Sequence, residues 1–254
     1  MAEAGEASSV PEPRVVVVTG GAAGIGWECA RYFAEHGDRV VVVDRADGAE
    51  AAARLPHPER HQAVTVDVTD RAAVAVLAGT LRAEAAGRVD VLVNCAGIAL
   101  LAPAEELTPE QWDATLAVNL TGTFTVCQAL GSLMLERGSG RIVNLASQAA
   151  AVALERHVAY CASKAAVVGM TRVLAAEWAS RGVTVNAVSP TVVNTALGRA
   201  AWEGAPGERM RAAIPAGRFA ETHEVAALVG YLTSPEAAMV TGQNILIDGG
   251  YTVV

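Results

Sequence analysis

A run of four valines followed by a glycine-rich turn most constrains how this chain can fold. The valines at 15–18 indicate a short strand buried on both faces, and an apolar, helix-like segment follows over residues 25–35. The turn between them has the spacing T-G-x-x-x-G-x-G. Such a turn brings free backbone N–H groups and the positive end of a helix dipole to one point, which suits a pyrophosphate. Glycine is needed because a side chain would hold the phosphates away from the backbone. The turn residues predicted to contact a dinucleotide are Thr19, Gly20, Ala23, Gly24, Ile25 and Gly26.

Short β-branched runs alternate with longer helical segments along the rest of the chain. The later predicted strands cover residues 39–43, 63–66, 89–93, 140–145, 183–188 and 244–247. The later predicted helices cover residues 70–86, 111–137 and 157–181. This alternation indicates a parallel sheet covered on both faces, with ligands bound at the carboxyl ends of its strands. The prediction is an α/β fold, a Rossmann-type, doubly wound sheet of seven parallel strands in a single domain, residues 14–254.

Composition and charge exclude several classes of partner. Of the 254 residues, 19 are Lys or Arg and 27 are Asp or Glu, so the net charge is −8. Without a long basic run, neither nucleic acid nor an anionic membrane surface is an expected partner. No apolar run approaches the roughly 20 residues that a membrane helix requires. Residues 1–13 are small, acidic and proline-containing, which predicts a disordered lead-in without the features of a signal peptide.

Cysteine and histidine usage predicts a cytoplasmic protein without a bound metal. The four cysteines are far apart and form no C-x-x-C pair; they are Cys29, Cys95, Cys127 and Cys161. Such isolated cysteines are typical of small apolar side chains in a reducing compartment. The five histidines form no cluster with the spacing of metal ligands.

Residues 189–220 break the alternation with three prolines and four glycines. A long irregular insertion in a compact domain is often a lid or a binding loop. Because it follows a strand at the ligand-binding edge of the sheet, we favour a substrate-binding lid over a surface excursion without a role.

Asp44, at the end of the second predicted strand, predicts the choice of cofactor. A carboxylate there can accept hydrogen bonds from both adenosine ribose hydroxyls and would repel a 2′-phosphate. Arg45 could face such a phosphate instead, whereas Ala23 offers no positive charge to it. We give the carboxylate more weight and predict NAD. Asp67 and Val68, at the end of the next strand, are expected beside the adenine.

Tyr160 and Lys164 are four residues apart, so on a helix they share one face. A cationic Lys164 would lower the pKa of the Tyr160 phenol, which could then act as a base near neutral pH. Ser147, just past the fifth predicted strand, could hydrogen-bond the substrate oxygen and stabilise charge on it. A tyrosine and lysine alone would more often be a solvated helix pair, but here they follow a complete glycine motif.

These motifs together resemble the classical short-chain dehydrogenase/reductase family over essentially residues 14–252. The matching elements are the turn at 19–26, Asn94-x-Ala96-Gly97, Asn119, Ser147 and Tyr160-x-x-x-Lys164. The resemblance implies that Tyr160 is the acid/base and that Lys164 binds the nicotinamide ribose and tunes Tyr160. It implies that Ser147 orients the reacting oxygen.

The resemblance also assigns roles away from these three residues. Asn119 would hold a water that links Lys164 to solvent, and Asn94, Ala96 and Gly97 would steady the central sheet and border the cofactor. The residues expected to contact the nicotinamide are Pro190, Val193 and Thr195. Two positions depart from the common pattern, because Cys95 replaces a frequent alanine and Thr191 follows Pro190 where glycine is usual.

The segments 154–160, 189–195 and 247–252 resemble bacterial sugar-alcohol dehydrogenases that act on D-threitol, D-arabitol and related vicinal diols. A substrate with several hydroxyls needs several polar partners. The candidates are Ser147, Gln148, His157, Asn194 and Trp202. His157 could instead belong to a helix cap or a subunit contact, and Trp202 could simply pack the lid.

The sequence therefore predicts an NAD-dependent dehydrogenase that oxidises a secondary hydroxyl of a small polyol to a ketone. A reductase of 3-oxoacyl chains on a carrier protein or CoA is the first alternative, which Asp44 and the negative net charge disfavour. A non-catalytic, cofactor-sensing scaffold would be expected to have lost Ser147, Tyr160 or Lys164. Family resemblance further implies a homotetramer in which helices 111–137 and 157–181 pair across one interface and the apolar end, residues 251–254, packs at another.

Overall fold

A sheet of seven parallel strands forms the centre of the molecule, in a computed structural model that describes residues 12–84 and 87–254. The strands are β1 (Val15–Thr19), β2 (Arg39–Asp44), β3 (Gln62–Thr65), β4 (Val91–Asn94), β5 (Gly140–Leu145), β6 (Val183–Pro190) and β7 (Asn244–Ile247). Their order is β3-β2-β1-β4-β5-β6-β7, which confirms the predicted doubly wound sheet. Strands β1 to β3 are added toward one edge of the sheet and β4 to β7 toward the other, so the switch point lies between β1 and β4. Ligands bind in such sheets at the carboxyl ends of the strands beside the switch point. Residues 1–11 of the predicted lead-in lie outside the described residues.

Helices cover both faces of the sheet. They are α1 (Gly24–Glu35), α2 (Gly48–Ala53), α3 (Arg71–Glu84), α4 (Pro109–Leu116), α5 (Thr123–Arg137), α6 (Val158–Trp178), α7 (Ala196–Ala201), α8 (Ala205–Ala213) and α9 (Thr222–Leu232). Val16 and Val18 of β1 face a core shared with α1, α2 and α9. Val15 and Val17 face the opposite core, shared with α3, α5 and α6. Burial on both sides explains why the first strand consists of valine without polar alternation.

The long helix predicted over residues 111–137 contains a wider turn. A π-helical stretch, Ala117–Gly122, joins α4 to α5 and contains the buried Asn119. The helix begins with a capping box in which the Thr108 side chain and the Gln111 side chain each bond the other's backbone N–H. A π-helical turn contains one more residue than an α-helical turn. Hydrophobic periodicity predicts the helix but not the wider turn, since a single such turn leaves the apolar pattern nearly unchanged.

Two helical stretches are long and apolar enough to cross a membrane, although no run of 20 apolar residues was evident in the sequence. They are Pro109–Arg137 and Val158–Arg181, each with a mean hydropathy of 1.2, and 56% and 44% of them is buried inside the protein. Both lie in the helical layer that packs on the sheet through α5 and α6. Core helices of this kind meet the same criterion, so it is weak support for a membrane span.

The prediction that residues 189–220 form an irregular insertion is wrong, because the segment contains α7 and α8. An isolated parallel bridge between Val193 and Ala220 closes the segment at its base. Its apolar side chains form a small cluster of their own, with Val192, Met210, Ile214 and Phe219 buried in it. Prolines and glycines at helix starts and turns, rather than a structureless chain, account for the broken alternation.

Helix α9 was not predicted, although it packs closely on α1. Its capping box uses Glu221 and Glu224 in place of the usual Ser, Thr, Asp or Asn at the cap. Strand limits differ from the sequence prediction by one or two residues at β3, β4 and β6, as is common for element ends.

Candidate active site

The glycine turn between β1 and α1 borders the larger of two adjoining cavities, with a volume of about 330 Å³. Gly20 and Gly24 have φ angles of 63° and 55°, which side chains rarely adopt. A Cβ on Gly20 would lie 2.7 Å from the Ala96 backbone nitrogen, so only glycine fits there. The residue before α1, Ala23, has no side chain that could bond the first N–H groups of the helix. Those N–H groups can therefore bind a phosphate.

Most predicted cofactor contacts lie together in this cavity. Those that line it are Gly20, Ala23, Gly24, Ile25, Gly26, Asp44, Arg45, Asp67, Val68, Ala96, Gly97 and Thr195. The walls thus combine a glycine turn at a helix start with carboxylates and small apolar side chains. This set of groups fits a dinucleotide, with the pyrophosphate at α1 and the adenosine beside Asp44, Asp67 and Val68.

Asp44 supports the glycine turn as well as facing the cavity. Its Oδ2 accepts a hydrogen bond from the Ala22 backbone N–H at 3.0 Å, and its Oδ1 accepts one from Ala46 at 3.4 Å. A carboxylate has about four lone-pair sites, so acceptor capacity remains for ribose hydroxyls. Arg45 interacts electrostatically with Asp67, whose pKa is lowered mainly by hydrogen bonds from the Thr69 backbone and hydroxyl. The positive charge of Arg45 is thus partly balanced by Asp67.

Thr19 and Asn94 are not among the residues that line the cavity, and their contact with the cofactor stays a prediction. The Thr19 hydroxyl accepts from the Ala96 backbone N–H at 3.3 Å and donates to Asn94 Oδ1 at 3.5 Å. Asn94 Nδ2 donates to Asn144 Oδ1 at 2.9 Å, and Asn144 donates on to Thr171 at 3.0 Å. Because their polar atoms are engaged in this buried network, both residues fix the ends of β1, β4 and β5 beside the cofactor cavity. Asn144 was not identified from the sequence, because it lies within β5 and belongs to none of the motifs.

The second cavity, of about 130 Å³, adjoins the first and shares Ile25 and Thr195 with it. Predicted residues that line it are Ser147, Gln148, His157, Tyr160, Pro190, Val193, Thr195 and Trp202, together with Thr191. Asn194 was also predicted to contact the substrate, and that contact stays a prediction. Asn194 is not among the lining residues, and its Nδ2 donates to Glu221 Oε1. The Asn194 side chain thus bonds the residue that caps α9 and does not line the cavity.

Ser147 and Tyr160 meet in this second cavity, and Lys164 lies behind them. Ser147 follows β5 and begins a short 3₁₀ turn, where its Oγ accepts from the Ala149 backbone N–H at 3.2 Å. Tyr160 and Lys164 share one face of α6, and the Lys164 Nζ lies 5.7 Å from the centroid of the Tyr160 ring. Lys164 is buried and its Nζ donates to the Leu145 carbonyl at 2.7 Å. The ammonium group is thereby fixed next to the phenol.

The pKa of Tyr160 is raised, contrary to the expectation that Lys164 lowers it. Burial raises the pKa of the phenol, and the hydrogen bond with Ser147 lowers it by less. Burial also lowers the pKa of Lys164, from 10.5 to about 8. Desolvation dominates at both groups because it disfavours whichever form is charged.

The Asn119 amide bonds the protein through both its oxygen and its nitrogen. Its Oδ1 accepts from the Ile98 backbone N–H at 2.8 Å, and its Nδ2 donates to the Ile98 carbonyl at 2.9 Å. The same Nδ2 donates to Ser163 Oγ at 3.0 Å, and Ser163 donates to the Tyr160 carbonyl at 2.8 Å. The side chain thus joins the π stretch to the loop after β4 and to α6. The water that the resemblance assigns to Asn119 stays a prediction.

His157 and Trp202 form an aromatic wall of the second cavity. Their rings are stacked with centroids 5.9 Å apart, and His157 also contacts Tyr160 edge-on at 6.1 Å. His157 Nδ1 lies 2.6 Å from the Glu155 carbonyl and therefore donates to it, which leaves Nε2 as an acceptor in the neutral ring. The His157 side chain makes no helix-capping bond. His157 is thus the N-cap residue of α6 and also lines the cavity, and its contact with the substrate stays a prediction beside the alternative of a subunit contact.

The described residues contain no group of three or more His, Cys, Asp or Glu that could hold a metal ion. The chemistry at hand in residues 12–84 and 87–254 is therefore a phenol, an ammonium and a hydroxyl beside a cavity for a dinucleotide. A phenol and a hydroxyl that converge on one oxygen suit proton transfer at an alcohol or a ketone.

Comparison with known proteins places the chain among dehydrogenases. A family model described as enoyl-(acyl carrier protein) reductase matches residues 20–252. The chain is 54% identical to a D-threitol dehydrogenase from Mycolicibacterium smegmatis, over 94% of this chain and 93% of the relative. It is 47% identical to an NAD-dependent glycerol dehydrogenase from Listeria innocua, over 94% of each chain.

A solved structure has nearly the same fold. The gluconate 5-dehydrogenase from Burkholderia cenocepacia, crystallised with NADP and tartrate, is 33% identical and has a TM-score of 0.91. The alignment covers 96% of this chain and 97% of that one.

Proposed function

Because this chain belongs to the short-chain dehydrogenase/reductase family and is an oxidoreductase of secondary alcohols, we propose that it oxidises a secondary hydroxyl of a small polyol with NAD. One observation carries the proposal: Ser147 and Tyr160 line a small cavity that adjoins the dinucleotide cavity. The product would be a ketose, and the reaction would be reversible.

The substrate class rests on the size and polarity of the second cavity. Sites for drug-sized ligands span about 300–1,000 Å³, and a volume of about 130 Å³ suits a smaller molecule. Besides the catalytic hydroxyls, Gln148, His157 and Thr191 offer polar atoms among apolar walls. The relatives named for D-threitol and glycerol act on small polyols, which supports the same class here.

Each step of the proposed oxidation is assigned to a side chain of the two cavities. A bound nicotinamide dinucleotide supplies the hydride acceptor, held by the residues that line the larger cavity. Ser147 would donate a hydrogen bond to the reacting oxygen and hold it against Tyr160. Tyr160 would take the hydroxyl proton, and its negative charge would be stabilised by Lys164, whose Nζ is fixed by the Leu145 carbonyl.

We propose a preference for NAD over NADP on the strength of Asp44. The carboxylate lines the adenosine end of the cavity, where a 2′-phosphate would meet a like charge. The NAD-dependent relative supports this choice, whereas the solved gluconate 5-dehydrogenase contains NADP.

We further propose a cytoplasmic homotetramer that binds neither nucleic acid nor membrane. Val158 and Val173 of α6 and Trp112 of α4 are partly exposed, as expected for helices that pair with another copy. Val253 and Val254 at the chain end are also exposed and could pack at a second contact. The four cysteines are free thiols, which fits a reducing compartment.

NADH absorbance tests the proposed function directly, with NAD or NADP and a panel of four- to six-carbon alditols and 1,2-diols. We expect rapid reduction of NAD by at least one alditol and little reduction of NADP. Tyr160→Phe is the control, and it should lose about 10²–10⁴-fold in turnover because the acid/base is removed. Silence with every alditol, together with NADPH-driven reduction of 3-oxoacyl or other ketones, would instead establish the alternative activity of this family.

A further inference from the structure

Two buried polar atoms in the wall of the substrate cavity have no hydrogen-bond partner. They are Gln148 Oε1 and Thr191 Oγ1, in side chains that are 1% and 7% exposed. Within residues 12–84 and 87–254, three further buried polar atoms are unpartnered, on Trp27, Thr184 and Ser234. None of these three residues lines the cavity. An unmade buried hydrogen bond is costly, so two in one small cavity point to a ligand that completes them.

Thr191 is held firmly in place at this wall. Its backbone N–H donates to the Ile247 carbonyl at 3.1 Å, which ties the end of β6 to the end of β7. Pro190 before it lines the same cavity. The side chain stands where the family resemblance leads one to expect glycine, so its hydroxyl is an addition to a common backbone.

Gln148 is also fixed relative to the catalytic groups. It follows Ser147 directly and opens the 3₁₀ turn after β5, so its position depends on the same turn that places the catalytic hydroxyl. The Gln148 oxygen can only accept a hydrogen bond, whereas a threonine hydroxyl can donate or accept. The two side chains therefore offer a ligand hydroxyl one acceptor, on Gln148, and one group that can donate, on Thr191, in the wall of the same cavity.

We propose that Thr191 is a specificity-determining residue which, with Gln148, binds the hydroxyl next to the one being oxidised. The inference rests on the proposed function, in which Ser147 and Tyr160 hold the reacting hydroxyl. It assigns the second hydroxyl of a vicinal diol, the class that the family resemblance implied, to two named side chains. A secondary alcohol with hydrogen in place of the neighbouring hydroxyl leaves both buried atoms unpaired, and sites built to bond a hydroxyl reject such analogues strongly.

The test compares 2,3-butanediol with 2-butanol as substrates, with NAD in excess. The variants are Thr191→Val, which removes the hydroxyl at constant shape, and Thr191→Ser, which keeps it. Thr184→Val is the matched control, because Thr184 is an equally buried residue of β6 with an unpartnered hydroxyl outside the cavity. Values of kcat and KM are determined for each substrate, and calorimetry measures diol binding to the same variants with the cofactor present.

We expect Thr191→Val to lower kcat/KM for the diol by about 10–100-fold and to weaken diol binding, since a buried partner is left unpaired. The same variant should not lower kcat/KM for 2-butanol and should raise it, because 2-butanol leaves the buried Thr191 hydroxyl unpaired in the wild type and valine removes that hydroxyl. Thr191→Ser and Thr184→Val should behave like the wild type with both substrates. An equal loss for both substrates, or no loss for either, would overturn the role of Thr191.

The wild-type activities separate failure of this inference from failure of the proposed function. A wild-type enzyme that oxidises 2-butanol as well as the diol would overturn the diol selectivity and leave alcohol oxidation standing. A wild-type enzyme that oxidises no diol and no alditol would overturn the polyol proposal, and the inference with it.

Discussion

Asp44 is a single side chain with two tasks, since it bonds the glycine turn and faces the adenosine end of the cavity. Asp44→Asn removes the charge and keeps the shape. We expect the ratio of kcat/KM for NAD to that for NADP to fall by about 10–100-fold, because like-charge repulsion of a 2′-phosphate is lost. Asp47→Asn, an equal change of charge at an exposed residue outside the cavity, should leave the ratio unchanged. A ratio that does not move in Asp44→Asn would show that another residue selects the cofactor.

Lys164 predicts a pH dependence of stability. Burial lowers its pKa to about 8 in the folded protein from an ordinary 10.5, so between these values the unfolded chain binds more protons. The free energy of unfolding should therefore rise as pH increases above 8. The raised pKa of Tyr160 acts in the opposite sense once the unfolded tyrosine ionises near its ordinary value of 10, which ends the window there.

Urea unfolding at pH 8, 9 and 10 checks this with Lys164→Met as the reference. The stability of the wild type relative to the variant should increase by about 2 kcal/mol from pH 8 to pH 10. The difference isolates Lys164 from cysteines and other groups that titrate in the same range. A difference that is constant with pH would mean that Lys164 keeps its ordinary pKa in the fold.

Spacing along the chain located the catalytic side chains, but it did not reveal the hydrogen-bond partners of the other candidate site residues. Tyr160 and Lys164 are one helical turn apart, so their juxtaposition follows from helix geometry alone. The engagement of Asn194 with Glu221 and of Asn94 with Asn144 depends on residues 27 and 50 positions away. Such long-range pairings leave no periodic signal in one sequence, and neither does burial, which decided the pKa of Tyr160.

The π stretch Ala117–Gly122 is the element that connects α4 and α5 to the site, through Asn119. Asn119→Ala would leave the N–H and the carbonyl of the half-buried Ile98, and the buried Ser163 hydroxyl, without their Asn119 partner. We expect a loss of about 2–4 kcal/mol in the free energy of unfolding by urea. Thr121→Ala, at an exposed side chain of the same stretch, should stay within about 0.5 kcal/mol of the wild type. Equal stability of both variants would show that Asn119 does not hold the stretch in place.

Elements with strong local patterns were predictable, and those shaped by their surroundings were not. Runs of valine identified β1 and β2, since strands buried on both faces need continuous apolar residues. The helices α7 and α8 are short and interrupted by glycine and proline, so their local pattern indicated a loop. They are stabilised instead by the cluster around Met210, Ile214 and Phe219, which only the folded chain assembles.

At the scale of the whole molecule, subunit association is the main prediction. We expect a solution mass of about four times the 26.1 kDa chain mass by sedimentation or mass photometry. Val173→Asp, on the exposed face of α6, should reduce that mass because a charge would be buried at the interface. Val76→Asp, at a more exposed position of α3, is the control and should keep the mass of the wild type. An unchanged mass in Val173→Asp would place the interface elsewhere.

Transfer of isotope from substrate to cofactor is the most direct test of the central claim, that this chain moves a hydride from the secondary carbon of a polyol to NAD. The wild-type enzyme would be given NAD with an alditol deuterated at its secondary carbons, and the mass of the reduced cofactor would be measured. We predict that the reduced cofactor carries deuterium and that the same alditol deuterated only at its primary carbons yields none. Label from the primary carbons, or reduced cofactor without any label, would contradict the account.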